Sequence, residues 1–381
     1  MRRPLPFLLA AFLACGADGA SSGDGPCPEV RLLVAGSDYS SAVACGAPGC
    51  FEVAGKTTGR PLGSDPMLVS SNGRTFFLAR DEDTIFNIDP SCGTPDRGVK
   101  LDAFARTDAR GKKRSANPHD VAVADDGTLF VALYNTPALV FVKGDAVDGP
   151  PIDLSAYDED GNPQAESVRI VNGKAFVALE RLDDRSDPPL QSRRPSQMLR
   201  IDVATRTAEA IIELAGRNPF NAMAQLGSAL FLAEPNNTDV ADEELGGIER
   251  FDTMTSTTQL LVRERDVGGS VTEIAVTDGC GAAIVVAPIP KVNPSALVTF
   301  DPTTGEVLST FAAPVLGPTP GFDLQGLVWR DGKLYVGDRR QASNGKYQVH
   351  ELALTAACTL RDTGHPIDLP QPPVGLQAAR Q

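Results

Sequence analysis

The sequence has few of the residues that build catalytic and metal centres. Its 381 residues include one tryptophan and three histidines, and His119, His350 and His365 are scattered along the chain. A zinc site needs several Cys or His ligands at short spacing, so this pattern disfavours zinc. The sequence also has no complete Gly-x-x-x-x-Gly-Lys-Ser/Thr phosphate loop and no His-Glu-x-x-His motif. These absences disfavour nucleotide and zinc-protease chemistry.

Basic residues are in the minority. The chain has 35 Lys and Arg against 49 Asp and Glu, a formal net charge of −14, and its basic run Arg110-Gly-Lys-Lys-Arg114 is short. Such a charge repels nucleic acid and anionic membrane surfaces and favours solubility. We therefore expect no nucleic-acid partner, and contact with a membrane only through an anchor.

The N-terminal apolar run is too short to span a bilayer. Arg2 and Arg3 precede an apolar run of about ten residues, which is typical of a secretion signal. The run ends in Phe12-Leu-Ala-Cys15-Gly, which resembles the lipobox of bacterial lipoproteins. That resemblance implies a signal peptide over residues 1–14, lipidation of Cys15, and an outer-membrane or cell-surface location. The alternative is an ordinary signal peptide cut nearby. Residues 15–29 are rich in Gly, Ser and Ala and predict a flexible tether.

The cysteine count favours disulfides. Without Cys15, six cysteines remain, and an even number in an exported chain is typical of disulfides rather than metal or catalytic thiols. Cys45 and Cys50 form the close pair, and the Gly and Pro between them suit a hairpin closed by a local bridge. The other four can pair in three ways, which the sequence leaves open: Cys27, Cys92, Cys280 and Cys358.

A hairpin pattern recurs along the chain. In its clearest copy, Asp120–Ala132, an apolar strand is followed by an Asp-Asp-Gly turn and a second apolar strand. Six copies begin at residues 66, 120, 166, 221, 273 and 325, between 46 and 55 residues apart. Third strands that end in Asp follow several copies, as at Asp202 and Asp252. Four short antiparallel strands in about fifty residues are the pattern of a β-propeller blade.

Two segments resemble known propeller repeats. Asn117-Pro-His-Asp-Val-Ala-Val-Ala-Asp-Asp-Gly-Thr-Leu-Phe-Val-Ala132 resembles the repeats of NHL, YVTN and SMP-30-type propellers. Phe300-Asp-Pro-Thr-Thr-Gly-Glu-Val307 is similar to the Asp-x-x-Thr-Gly turn of YVTN and quinoprotein-like propellers. The resemblance covers about residues 31–370 and implies an architecture rather than an activity.

These patterns predict an all-β fold, a propeller of four-stranded antiparallel blades over residues 30–370. Residues 30–54 supply a seventh unit that lacks a first strand, so that blade is either three-stranded or completed by the C-terminal end of the chain. We favour seven blades, with six as the alternative. Residues 371–381 are predicted to form a C-terminal tail, and the protein is expected to be a monomer.

The residue that opens each first strand faces the propeller axis. Five of these six positions carry a carboxylate or carboxamide, namely Asp120, Glu166, Asn221, Glu273 and Gln325. Oxygen ligands that converge on an axis suit Ca²⁺ or another divalent cation, or a polyhydroxylated ligand. The alternative is that they bond the backbone amides of neighbouring blades.

A second ring of polar residues follows the second strands, where loops on one face of the disc begin. Its members include Asp81, Asn135, Glu180, Glu234 and Asp338. Long loops on this face, such as residues 183–194, carry function more often than the scaffold does. We therefore expect a protein, peptide or glycan ligand at this face, although the mixed charge also suits a solvated surface.

Three functions remain after these observations. A His-Asp pair is typical of a general base, but Phe220 occupies the position aligned with His119, which favours a packing or channel-rim residue. The favoured function is a non-enzymatic envelope lipoprotein that binds or scaffolds an unidentified ligand. The SMP-30 resemblance implies the alternative, a metal-dependent hydrolase or lactonase with a divalent cation at Glu166, Asn221 and Glu273. The single tryptophan, Trp329, disfavours a quinoprotein-type redox propeller.

Overall fold

The recurring hairpins fold into the seven sheets of a β-propeller. The computed structural model describes residues 32–47, 52–54, 62–88, 96–107, 111–237, 244–288 and 292–378. Seven antiparallel sheets, blades I to VII, follow one another around an axis. The predicted all-β architecture and the favoured count of seven blades are confirmed. The predicted signal peptide and tether, residues 1–14 and 15–29, lie outside the described residues.

The blades use the chain in order. Blade I contains β1 Leu32–Ser37, β2 Ala42–Ala47 and β3 Glu52–Ala54, and blade II contains β4 Pro66–Ser71, β5 Arg74–Ala79, β6 Thr84–Ile88 and β7 Val99–Lys100. A separate hairpin follows, β8 Arg106–Thr107 and β9 Lys113–Arg114. Blade III contains β10 Pro118–Val123, β11 Leu129–Leu133, β12 Ala138–Lys143, β13 Ala146–Val147 and β14 Ile152–Asp153. Blade IV contains β15 Ala165–Val171, β16 Lys174–Leu179, β17 Gln197–Asp202 and β18 Thr207–Glu213.

The remaining blades complete the ring. Blade V contains β19 Phe220–Leu226, β20 Ala229–Glu234, β21 Gly247–Asp252 and β22 Thr257–Arg263, and blade VI contains β23 Ser270–Thr277, β24 Cys280–Val286 and β25 Ser295–Phe300. Blade VII contains β26 Leu324–Arg330, β27 Lys333–Asp338, β28 Tyr347–Leu354, β29 Leu360–Asp362 and β30 Ile367–Leu369. The last strand, β31 Pro373–Ala378, returns to blade I. Helical structure in the described ranges comprises α1 Glu264–Val267 and the 3-10 turns Arg80–Glu82, Asp102–Phe104 and Ser155–Tyr157.

The Asp-Gly turns form as the sequence predicts. Between β10 and β11, Gly127 has a φ of 82°, a conformation that glycine adopts without steric cost. The backbone N–H of Thr128 donates to Oδ1 of Asp126 at 3.0 Å and closes the turn. The strands on either side, β10 and β11, are buried along their whole length. The turn therefore sets the register of the hairpin, and burial of both strands holds it.

The apolar core is divided among the blade interfaces. The buried apolar residues of the described chain form seven clusters, each shared by two neighbouring blades. Between blades III and IV, Phe130 and Phe141 pack edge to face with ring centroids 4.8 Å apart, against Val168 and Val177. Because each cluster needs both sheets, a blade depends on its neighbours for burial.

The C-terminal strand closes the ring. We expected residues 371–381 to form a tail, but β31 within them pairs antiparallel with β1, from Leu32 opposite Ala378 to Gly36 opposite Pro373. β31 is therefore the inner strand of blade I, and that blade is completed by the C-terminal end of the chain, which was one of the two predicted alternatives. This pairing corrects the domain boundary, because an unpaired β1 would leave an open edge facing the axis.

Blade VI has no regular outer strand in the described part of the chain. Residues 306–311 contribute two isolated bridges instead, between Val307 and Phe300 and between Thr310 and Ala313. A disulfide joins Cys280 of β24 to Cys358, in the turn after β28, so blade VI is covalently fastened to blade VII. The predicted bridge between Cys45 and Cys50 involves side chains outside the described part of the chain.

Candidate ligand-binding site at the channel mouth

The inner strands surround a central channel with two connected cavities. The loops between second and third strands, and the chain entering each inner strand, lie on one side of the disc, which we call the mouth face. The cavity at this face has a volume of about 280 Å³, and the cavity toward the opposite face has about 750 Å³. Asn221 and Glu273 line both cavities and therefore mark the waist of the channel.

The predicted axial residues connect neighbouring blades. Asp120 accepts a hydrogen bond from the backbone N–H of Val168 at 2.8 Å, and Glu166 accepts one from Asn221 at 2.6 Å. Each bond crosses from one inner strand to the next. Glu273 makes the equivalent contact with Gly326, and the Asn221 side chain donates to the carbonyl of Thr272 at 3.0 Å. The fifth member, Gln325, lines the mouth cavity with its carboxamide.

Asp120 is also paired with a cation. It is fully buried, and its Oδ2 lies 2.6 Å from Nη1 of Arg169. Burial raises the pKa of Asp120, although Arg169 and two backbone N–H groups oppose that rise. Nε of Arg169 donates to the carbonyl of Met223 at 3.0 Å, so this ion pair ties blades III, IV and V together.

A second charged group lies at the mouth. Arg80 pairs with Asp65 and also contacts Nε2 of His119. A guanidinium can only donate, so Nε2 accepts and the ring proton is on Nδ1. That Nδ1 lies 2.8 Å from Oε2 of the fully buried Glu166. Nε2 of His119 therefore faces the Arg80 guanidinium, and Nδ1 lies at ion-pair distance from the Glu166 carboxylate.

The pKa values of Glu166 and Glu180 are shifted in opposite directions. Burial alone raises the pKa of Glu166, but His119, Arg80 and the N–H of Asn221 together hold that pKa below its ordinary value. Burial and the neighbouring Glu166 carboxylate raise the pKa of Glu180 well above its ordinary value. The Oε2 of Glu180 accepts a hydrogen bond of 2.8 Å from the Tyr134 hydroxyl.

Glu273 has a different environment. Both of its oxygens accept from the N–H of Gly326, at 3.0 and 2.8 Å, and the side chain is half-buried against the channel. Burial by the channel walls raises the pKa of Glu273 to about 7, against two opposing backbone N–H groups. Among the described residues, no cation is paired with it.

Aromatic side chains form the rim of the mouth. Tyr39 is 63% exposed and Phe322 is 38% exposed, and both line the mouth cavity with Phe220. The guanidinium of Arg339 lies over the Tyr39 ring at 4.7 Å and fixes one side of that ring. Exposed aromatic rings around a polar cavity are typical of a binding surface.

The predicted face-loop residues do not form one site. Glu180 lines the mouth cavity, whereas Asp81, Asn135, Glu234 and Asp338 do not. Asp81 bonds the backbone of Ser64, and Asp338 pairs with Arg340. Glu234 is buried against Glu249, and burial with that carboxyl raises the pKa of Glu234 well above its ordinary value. Asp81 and Asp338 therefore hold their own loops rather than the mouth cavity.

The sequence reasoning missed Tyr39, Asp65 and Phe322 as mouth residues. Each lies in an irregular loop outside the aligned hairpins. The position of Asp65 could have indicated a mouth residue, because Asp65 directly precedes the inner strand that begins at Pro66. Tyr39 and Phe322 carry no periodic signal, since their approach to the mouth depends on loop geometry.

The residues proposed for a divalent cation do not fit one. Oε1 of Glu166 accepts from the Asn221 N–H, and its Oε2 lies beside Nδ1 of His119. Glu273 accepts from the Gly326 N–H, and the Asn221 side-chain amide donates to the Thr272 carbonyl. A hard cation such as Ca²⁺ needs six to eight oxygens around one point. No group of three His, Cys, Asp or Glu side chains in the described ranges is arranged to hold a metal ion.

The fold and the channel define the class, a seven-bladed β-propeller with its polar cavity at the mouth face. No protein-family model matches the chain, and no curated protein matches its sequence. Several solved structures share the fold. Hydrazine synthase of Kuenenia stuttgartiensis matches with a TM-score of 0.52 at 12% identity, covering 75% of each chain.

Two other structures match at a similar level. Dihydro-heme d1 dehydrogenase NirN in complex with DHE has a TM-score of 0.52 at 12% identity, covering 94% of this chain and 78% of that one. The Pan2 WD40 domain of Neurospora crassa has a TM-score of 0.50 at 9% identity, covering 78% of this chain and 77% of that one. At such identities the likeness shows the propeller fold alone.

Proposed function

We propose that this chain is a non-enzymatic binding propeller that takes its ligand at the mouth face. The observation that carries the proposal is the mouth cavity itself, about 280 Å³ lined by polar and apolar side chains beneath the exposed rings of Tyr39 and Phe322. Arg80 and Asp65 in its wall are paired with each other, and His119 lies against Glu166. Such a wall recognises a ligand but offers no free nucleophile or base with a positioned partner.

Photocrosslinking tests the position of the binding surface. A benzoylphenylalanine residue in place of Tyr39 or Phe322 should give the same discrete adduct in the cells that make the protein. The control is Met254, which is 68% exposed in the turn between β21 and β22 on the opposite face. Equal adducts from both faces, or none from the mouth, would overturn the proposal.

The metal-dependent alternative has its own test. A divalent cation held by Glu166, Asn221 and Glu273 must be present at one ion per chain in purified protein and must be lost in Glu273→Ala. We expect no such ion, because the oxygens of these side chains are bonded within the protein. A stoichiometric ion that this substitution removes would favour the hydrolase function instead.

The proposed location is the bacterial envelope, through a lipid on Cys15. Its support is the lipobox-like sequence before Gly16 and the Cys280–Cys358 disulfide, since disulfides persist in oxidising compartments. No helix in the described ranges is long and apolar enough to cross a membrane. The anchor would leave the propeller free to meet a soluble or membrane-bound ligand.

A further inference from the structure

Glu273 and Glu180 line the mouth cavity without a cation partner among the described residues, but Glu180 is fully buried and accepts a hydrogen bond from the Tyr134 hydroxyl. Asp120 is paired with Arg169, and Glu166 lies against His119. Glu273 holds only backbone N–H groups among the described residues, yet it faces the cavity space at the waist. An ionised carboxylate in such an enclosed place is costly without a counter-ion, so the site favours a ligand that brings one.

The surrounding wall selects the kind of cation. Met67, Phe220 and Val374 line the mouth cavity and offer apolar contact, and Gln325 also lines it, with its Oε1 accepting from Nη1 of Arg339 at 3.4 Å. An ammonium has three donors around a point charge and can divide them between a carboxylate and neighbouring amide oxygens. Aromatic faces also attract an ammonium and its alkyl stem.

We propose that the mouth cavity binds a protonated primary amine at the end of an alkyl chain, such as a lysine side chain of a partner protein, with the Glu273 carboxylate as its counter-ion. The inference rests on the proposed binding function and supplies its ligand class. The other titratable groups that face this stretch of channel already contact protein partners, namely Asp65 and Arg80, His119 and Glu166, Tyr134 and Glu180, and Arg169. None of these groups is therefore free to act as the counter-ion of the amine in place of Glu273.

Titration calorimetry with two small probes tests the proposal on the purified full-length protein. n-Butylammonium should bind, and n-butanol, its neutral counterpart, should bind at least tenfold more weakly. Glu273→Gln keeps an acceptor for the Gly326 N–H and should weaken n-butylammonium binding at least tenfold. Glu306→Gln is the control, since it makes the same change of charge at an exposed turn and should leave binding unchanged.

A second measurement does not depend on any variant. Because the pKa of Glu273 is about 7, its ionised fraction rises roughly tenfold between pH 6 and pH 8, and n-butylammonium affinity should rise in proportion. Binding at pH 7 should also release protons, seen as different heats in phosphate and MOPS buffers. Equal binding of butanol, or ammonium binding indifferent to both pH and Glu273→Gln, would overturn the proposal.

Two peptides distinguish the source of the amine. Acetyl-Gly-Lys-Gly-amide should bind if the cavity takes a lysine from a partner, and the norleucine version should not. Binding of n-butylammonium without the lysine peptide assigns a free amine instead, and binding of neither overturns the proposal. Failure of crosslinking at Tyr39 with intact amine binding would refute only the proposed binding function, so the two proposals fail separately.

Discussion

Carboxyl groups within one channel respond to their immediate partners. Glu166 lies against His119 and keeps a lowered pKa, while Glu180 lies against Glu166 and has a raised pKa. The pKa of Glu273 is raised to about 7, because only backbone N–H groups oppose the effect of burial on this carboxyl group. Three glutamates that the sequence cannot tell apart therefore have differently shifted pKa values.

The raised pKa of Glu273 predicts a pH-dependent stability. In the folded protein its pKa is about 7, against an ordinary value of 4.5, so the folded state binds the proton more tightly. Stability from this group is complete below about pH 4.5 and is lost as the pH rises toward 7. Glutamine does not titrate, so Glu273→Gln should gain stability relative to the natural protein across that window.

Urea unfolding at several pH values measures this difference. The free energy of unfolding of Glu273→Gln minus that of the natural protein should increase from pH 4.5 to pH 7 and stay level above pH 7. Glu306→Gln, at an exposed turn, should show no such trend. A difference that does not change with pH would contradict the assigned environment of Glu273.

Glu166 is the carboxylate whose removal should cost most. It is fully buried, accepts from the Asn221 N–H at 2.6 Å, and is the counter-charge beside His119 and Arg80. Breaking one partner of a buried charged group typically costs about 3–5 kcal/mol. Glu166→Ala should lower the free energy of unfolding by about that amount, while Glu306→Ala should change it by less than about 0.5 kcal/mol. Similar midpoints for both variants would show that the buried contacts contribute little.

At the scale of strands, the fold was predictable because each hairpin carries its own signal. The apolar runs and the Asp-Gly turns located the inner strands, and register placed Glu166, Asn221 and Glu273 at the channel wall. Their partners were not predictable, because each comes from the next blade, about fifty residues away. The Asp-Gly signal is absent at Pro373–Ala378, since that strand pairs with β1 rather than with a neighbour in sequence.

The closing strand gives a prediction about ring integrity. A chain that stops after Pro372 loses β31, and with it the strand that pairs with Leu32–Ser37. The exposed edge of β1 and the uncovered apolar residues of blade VII, such as Val349, should promote aggregation. Size-exclusion chromatography should show aggregates, whereas a chain that ends at Ala378 should remain monomeric. A monodisperse, cooperatively unfolding protein after truncation at Pro372 would contradict the proposed role of the strand.

The disulfide gives a second prediction at this scale. Cys280 and Cys358 are separated by 78 residues in sequence, and blade VI has only three regular strands in the described residues. A bridge closing such a loop typically stabilises a protein by about 2–4 kcal/mol. Cys280→Ser combined with Cys358→Ser should lower the urea midpoint accordingly, and a reductant should no longer affect the variant. An unchanged midpoint would show that apolar packing between blades VI and VII is sufficient.

For the whole molecule, the channel mouth and the proposed anchor impose separate requirements. The mouth needs an open face that carries Tyr39 and Phe322, and the anchor needs a tether long enough to leave that face accessible. The net charge of −14 repels anionic membrane surfaces, which favours a body held off the bilayer by its tether. Ligand binding and membrane attachment should therefore be separable by mutation.

Substitution of Cys15 tests the attachment. If Cys15 carries the lipid, Cys15→Ser should move the protein from the membrane fraction to the soluble fraction, because the short apolar run before it cannot span a bilayer. Cys27→Ser is the matched control, since it removes a cysteine 12 residues further along and should leave fractionation unchanged. The released Cys15→Ser protein should still bind n-butylammonium with unchanged affinity. Retention of Cys15→Ser in the membrane fraction would refute the lipid anchor and favour an ordinary cleaved signal peptide with another mode of attachment.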